Sequence, residues 1–179
     1  MKNGKHVNLV PFEPNHGPAV MSWFYDHRYA AFFRDFPDVP MDLPQVIEFF
    51  SDLPRSGLHL FVVILKETGF PIGLMTTECL KRKSGVFRFG IMLDSKYQRQ
   101  IIAIECITLL GHHLIENAGM RKFVVEFLTS DDHIRRISEA GGFEREGVLK
   151  GEALVDGTPR DLYRYFITAQ TFEKNALKL

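Results

Sequence analysis

The chain has 179 residues, a length that suits one domain with a sizeable buried core. Its 22 basic residues balance 22 acidic ones, and 45% of positions are hydrophobic against 25% charged. That balance excludes a chain-wide field drawing the protein to nucleic acid or to an anionic membrane, and no basic stripe or groove-reading motif stands out.

Cys79 and Cys106 lie far apart with no CxxC spacing, so they read as small buried hydrophobes in a reducing compartment, with no disulfide or metal site. The opening MKNGKHVNLVPFEP has no apolar stretch of signal-peptide length, and no later run is expected to span a bilayer. A cytoplasmic location is the resulting expectation. In chain order, Val7 to Phe12 reads as a strand and Gly17 to Tyr25 as a short helix. The proline-broken stretch 30–40 (AAFFRDFPDVP) reads as an irregular loop. Asp42 is an N-cap candidate, with Gln45 completing a capping-box spacing, and Val46, Phe49, Phe50 and Leu53 form a helical stripe.

His59 to Lys66 is a short continuous apolar run, the mark of a buried strand. Ile72 to Leu80 and Gly85 to Leu93 follow after tight turns, giving an antiparallel meander over about 59–93. Residues 101–117 are helical, with Ala103, Cys106, Ile107, Leu110 and Leu114 on one face and Asn117-Ala118-Gly119 closing the helix. Lys122 to Leu128 is a strand, so the strand–helix–strand order demands a parallel crossover. Ser130 or Asp131 caps a helix from Asp132 to about Ala140, ended by Gly141-Gly142. Val148 to Val155 and Leu162 to Thr168 form a hairpin around Asp156-Gly157, and Phe172 to Leu179 reads as a polar tail.

Four stretches carry a resemblance. They are LVPFEPNH at the first strand, FGIMLDSKYQRQIIAIEC across the third meander strand and the next helix, DDHIRRISEAGGFEREGVLKG, and DGTPRDLYRYFIT with Asp161. From Val7 to Thr168 the chain resembles the GCN5-related N-acetyltransferase family, in the branch that acetylates N-terminal amines of ribosomal proteins. The resemblance implies one α/β (α+β) domain over 1–179. Its central sheet would be mixed and mostly antiparallel, with about seven strands and helices on both faces. It further implies acetyl-CoA as co-substrate and a primary amine as acceptor. The cofactor would lie where the strand ending near Leu93 splays from the one ending near Leu128, and the aromatic segment 23–36 would wall the acceptor site.

Carried over residue by residue, Ile91, Met92 and Leu93 form the pantetheine strand. Gln98, Arg99, Gln100, Ile101, Ile102 and Ala103 occupy the pyrophosphate loop, whose family pattern is Arg/Gln-x-x-Gly-x-Gly/Ala. Gln98 matches the first position and Ala103 the last, but Ile101 replaces the central glycine. That glycine lets backbone N–H groups approach phosphate oxygens with no Cβ in the way, whereas a β-branched residue restricts the backbone and adds bulk. By helical phase Ile101 points away from the core face. Two readings stay open: the loop has tightened into an ordinary helix start, or the helix N-terminus still offers amides and a dipole, assisted by Arg99 or Gln100.

The family asparagine and serine after the next strand correspond to Asp131 and Ile134, and its strand glutamate to Arg88. Asp131 beside phosphates is unhelpful at neutral pH but is an excellent helix cap. Ser138 stands where some members place a tyrosine acid, and can at best orient a water. Glu78 and Glu126 are candidate bases acting through water, and a backbone amide near Met92 is the candidate donor to the thioester carbonyl. His112 and His113 read as packing or surface residues, leaving His133 as the histidine to test. The competing function is a catalytically silent module that keeps the fold and serves as a subunit of an assembly or a homo-oligomer.

Overall fold

The computed structural model describes residues 2–26, 29, 32, 40–97, 100–155 and 157–176. The eight strands are β1 (Lys2–Asn3), β2 (Val7–Pro11), β3 (Leu58–Leu65), β4 (Pro71–Lys81), β5 (Val86–Leu93), β6 (Lys122–Leu128), β7 (Glu144–Val155) and β8 (Thr158–Thr168). The helices are α1 (Gly17–Phe24), α2 (Leu43–Asp52), α3 (Gln100–Ala118), α4 (Asp132–Ala140) and α5 (Ala169–Ala176). The hydrogen-bonded strand order is β1-β2-β3-β4-β5-β6-β8-β7. Mixed and mostly antiparallel, it meets the expected class; the expected seven strands are the longer ones, and the eighth is the two-residue β1.

The chain forms two compact units, one made of the chain to Glu78 with Gly90–Leu110, the other of Cys79–Phe89 with Gly111–Leu179. In the first unit, β2 pairs antiparallel with β3 from Val7↔Leu65 to Pro11↔Phe61, and β3 pairs antiparallel with β4. The expected capping box starts α2: the Asp42 side chain accepts the Gln45 N–H, and the Gln45 side chain accepts the Asp42 N–H, each at 2.9 Å. The helix buries Val46 and Phe50 into a core shared with Val20, Trp23, Leu74 and Met92. Burial of such side chains contributes about 1.5–3 kcal/mol each. Gly73 fixes where Met92 lies, because a Cβ there would run into the Met92 carbonyl.

In the second unit β5 and β6 are parallel over Val86↔Lys122 to Arg88↔Val124, so the expected crossover is present. Phe89 stacks on Phe123 with ring centroids 4.2 Å apart. The final segment departs from expectation: 169–176 is the helix α5, with Phe172 buried and edge-on to Phe123 at 6.2 Å. Thr168 Oγ1 accepts the Thr171 N–H at 3.2 Å to start this helix, and Gly111 makes room for the Phe172 ring. One large apolar side chain per two turns is too sparse to show a period in sequence, yet one suffices when it enters a core. The last hairpin is also longer than expected, because β7 is mostly exposed and lacks an apolar alternation.

The expected loop 30–40 falls almost wholly outside the described residues, as does Asp156. The expectation that no run could span a bilayer needs correction. Ile101–Ala118, 18 residues with mean hydropathy 1.2, is long and apolar enough by length and composition. Within the fold that stretch buries Ile102, Cys106, Leu110 and Leu114. Cys106 is free, with its thiol pushed up to about 12 by burial and then by the Glu105 charge.

Candidate functional site

Two strand–turn–helix passages carry most of the candidate residues. The first runs from β5 into α3. Met92 and Leu93 are buried at the end of β5, and Ile91 is half-buried. Asp94 follows, then a single 3₁₀ turn, Ser95–Tyr97. Asp94 organises this turn: its N–H donates to the Ile72 carbonyl at 2.8 Å, and its own carbonyl accepts the Tyr97 N–H at 2.7 Å. Its Oδ1 accepts the Lys96 N–H at 3.0 Å, and its Oδ2 accepts the Trp23 indole N–H at 3.1 Å. The Ser95 N–H donates to the Tyr29 hydroxyl at 3.0 Å.

Gln98 and Arg99 lie outside the described residues, and α3 begins at Gln100. Ile101 therefore sits in the first helical turn, where an α-helical residue needs no left-handed backbone freedom; the glycines with positive φ are elsewhere. What isoleucine brings to this position is bulk, and 58% of it is exposed. Ile102 is buried and Ala103 half-buried. The first turn of α3 contains no acidic residue, so no carboxylate of that turn opposes its amides and dipole.

One turn further on, Glu105 ties α3 to the N-terminal strands. Its Oε1 accepts the His6 and Val7 N–H groups at 2.9 and 3.4 Å, and its Oε2 meets His6 Nδ1 at 2.7 Å. Burial pushes this carboxyl up, but the His6 and backbone bonds outweigh it and hold the group below its usual range. The sequence reading missed this clasp, whose partners are 99 positions apart.

The second passage runs from β6 into α4. The Glu126 side chain is 3% exposed and accepts from Arg88 Nη1 at 3.0 Å. Its other oxygen accepts from Arg164 Nε at 2.7 Å and from Arg164 Nη2. Burial alone would raise this carboxyl, but hydrogen bonds from Arg88 and Arg164, with their charges, leave it below the ordinary range. A general base needs an available lone pair and a pKa near the working pH. Glu126 has the reverse, so its place is an ion-pair hub. Arg88, which stands where the resemblance has a glutamate, finds here the carboxylate that it pairs with. The register Glu126↔Arg164 on β6 and β8 is the signal that would have found the pair.

Asp131 starts α4 as a cap, its Oδ1 accepting the Ile134 N–H at 3.1 Å. Ser138 is buried, and its carbonyl accepts the Phe143 N–H at 2.9 Å beyond the helix end. Glu78 is half-buried near the end of β4, opposite Leu58. His133 is exposed. His112 packs edge-on to Phe172 at 5.8 Å, and His113 bonds Asn117. Among the described residues no group of three or more His, Cys, Asp or Glu could hold a metal ion.

Residues 6–144 match the family model described as the acetyltransferase (GNAT) domain, and the chain belongs to that family. A GCN5-related N-acetyltransferase from Brucella melitensis aligns with a TM-score of 0.81 at 20% identity, over 98% of this chain and 81% of that one. A spermidine N-acetyltransferase from Vibrio cholerae, solved with CoA and spermine, aligns with a TM-score of 0.82 at 16% identity, over 95% and 99%. RimL, a ribosomal alpha-N-protein acetyltransferase solved with CoA, gives 0.78 at 16% identity over 92% and 95%. At these identities the likeness shows the fold. No curated protein matches the chain.

Proposed function

We propose that the protein is an acetyl-CoA-dependent N-acetyltransferase whose acceptor is a primary amine, either a protein N-terminus or a small amine. The observation that carries this reading is the β5–α3 passage, which the family match spans: a braced turn leads into a helix whose first turn holds no acid. The outward Ile101 leaves the core intact, and a helix N-terminus binds anions without strictly requiring glycine. These residues fit a diphosphate, held by the first-turn amides of α3 around Ile101, Ile102 and Ala103. Ile91, Met92 and Leu93 are the strand along which the pantetheine arm lies.

Acetyl-CoA supplies an already activated thioester, so positioning accounts for much of the acceleration. The backbone amide at Met92 donates to the thioester carbonyl oxygen. Glu78, half-buried near the end of β4, is the carboxylate proposed to take the amine proton through water, and His133 is the histidine to test in a separate variant. Asp131 serves as a cap and not as a phosphate ligand. Ser138, buried in α4, serves packing.

The test is calorimetric titration of the protein with acetyl-CoA, beside Ile101→Gly. Micromolar binding by the natural chain is the expected result. Binding seen only in the glycine variant would overturn the reading and favour a silent module that lost its cofactor at this turn.

A further inference from the structure

The turn ahead of α3 is gripped by two rings that a purely apolar core would not require. Trp23 and Tyr29 are 5% and 4% exposed. Each sends its polar end to the turn: the indole N–H to Asp94 Oδ2 at 3.1 Å, the hydroxyl to the Ser95 N–H at 3.0 Å. A buried indole N–H or hydroxyl is costly unless paired. This chain fills its core freely with phenylalanine, having 16 of them against a single tryptophan. Phenylalanine at both positions would pack without holding anything. The two bonds span 71 and 66 positions, joining the aromatic segment to the approach of the cofactor turn.

Asp94 is the centre of this grip. Both of its carboxylate oxygens, its carbonyl and its N–H are engaged, with Trp23, Lys96, Tyr97 and Ile72 as partners. Tyr29 is itself anchored through its N–H to the Asp26 carbonyl at 2.9 Å. Loosening the grip would leave the turn only fractionally in its competent arrangement, and apparent affinity falls by that fraction.

We propose that Trp23 and Tyr29 are positioning residues for acetyl-CoA: they hold Asp94–Tyr97 in the arrangement that aims the first turn of α3 at the diphosphate. Through them the aromatic segment on the acceptor side sets cofactor affinity. This rests on the acetyltransferase reading above. The single tryptophan also makes the grip visible, because its emission reports on the indole bond to Asp94.

The experiment compares the natural protein with Tyr29→Phe and Asp94→Asn, using calorimetry with CoA, Trp23 emission and thermal melting. Tyr29→Phe removes one hydroxyl. Asp94→Asn keeps the shape but leaves one oxygen for two donors. The expected result is a dissociation constant for CoA raised roughly three- to tenfold in each variant. Trp23 emission should shift when CoA saturates the natural protein, and that shift should shrink in Asp94→Asn even at saturation. A merely structural role would lower the melting temperature and leave affinity and emission shift unchanged. That outcome, in folded variants, overturns the positioning role while the acetyltransferase reading stands. A natural protein that binds no CoA overturns both. Should a variant fail to fold, the natural protein decides: CoA binding with no change in Trp23 emission overturns the proposal.

Discussion

At the start of α4 the chain supplies its own anion. Asp131 takes the Ile134 N–H, and Asp132 adds a second carboxylate to the same turn. At the start of α3 no acid stands in the first turn, and Ile101 there is exposed. The approaches differ in the same sense. β6 is locked by the fully charged Arg88–Glu126–Arg164 cluster. The turn before α3 is held by the neutral polar ends of Trp23 and Tyr29. A helix N-terminus carries about half a positive charge. In α4 that charge is answered from within, and in α3 no carboxylate of the first turn answers it. One helix start carries its own anion and the other does not, and the proposed CoA site rests on that difference.

The largest effect should come from Glu126→Gln. It leaves two guanidinium groups without their buried carboxylate, which costs about 2–3 kcal/mol after allowing for their partial exposure. The melting temperature should fall by roughly 5–10 °C, with CoA affinity unchanged. A matching loss of CoA affinity would break the division of labour between the two passages. Next, Ile101→Glu puts a carboxylate where the diphosphate is proposed to bind. CoA affinity should drop at least about tenfold by calorimetry, whereas Ile134→Glu in α4 should change it less than about twofold. If the two substitutions act equally, the asymmetry is wrong.

Asp131→Ala should cost about 1 kcal/mol of stability by urea unfolding, while Asp131→Asn retains most of it, and neither should alter CoA binding. The smallest effect is in pH dependence. Glu126 and Glu105 are both held below the ordinary value of 4.5. As pH falls below that value the unfolded chain takes up protons first. Their stabilisation is therefore complete above about pH 4.5 and is lost as pH drops through the lowered folded values. Glu105→Gln should flatten the acid side of the stability curve slightly, and Glu126→Gln more. Curves parallel to that of the natural protein would show that these carboxylates are not the acid-labile groups.

Much of the site's framework was legible in the chain. The Asp42–Gln45 box, the end of β5, the phase of Ile101 and the Asp131 cap are signals contained within a few residues, and each was found where the spacing placed it. The partners of Glu126, Glu105 and Asp94 were not legible. They lie 38, 99 and 71 positions away, and hydrophobic period and capping rules carry no information about which distant side chain will face which. The tail helix was hidden for a related reason, since Phe172 becomes a core residue only once Gly111 and Phe123 are beside it.

Sequence alone determined most of the elements, their order, the family resemblance and the exceptional residue at the helix start. These follow from local backbone preference and from the spacing of apolar positions. The tertiary structure alone decided the roles of the charged and polar residues. It made Glu126 an ion-pair hub rather than a base, Glu105 the clasp to His6, and Trp23 and Tyr29 the brace of the turn before α3. The physical reason is that a carboxylate, an indole N–H or a phenol takes its function from the partner and the burial that folding gives it, and neither is written in its neighbours along the chain.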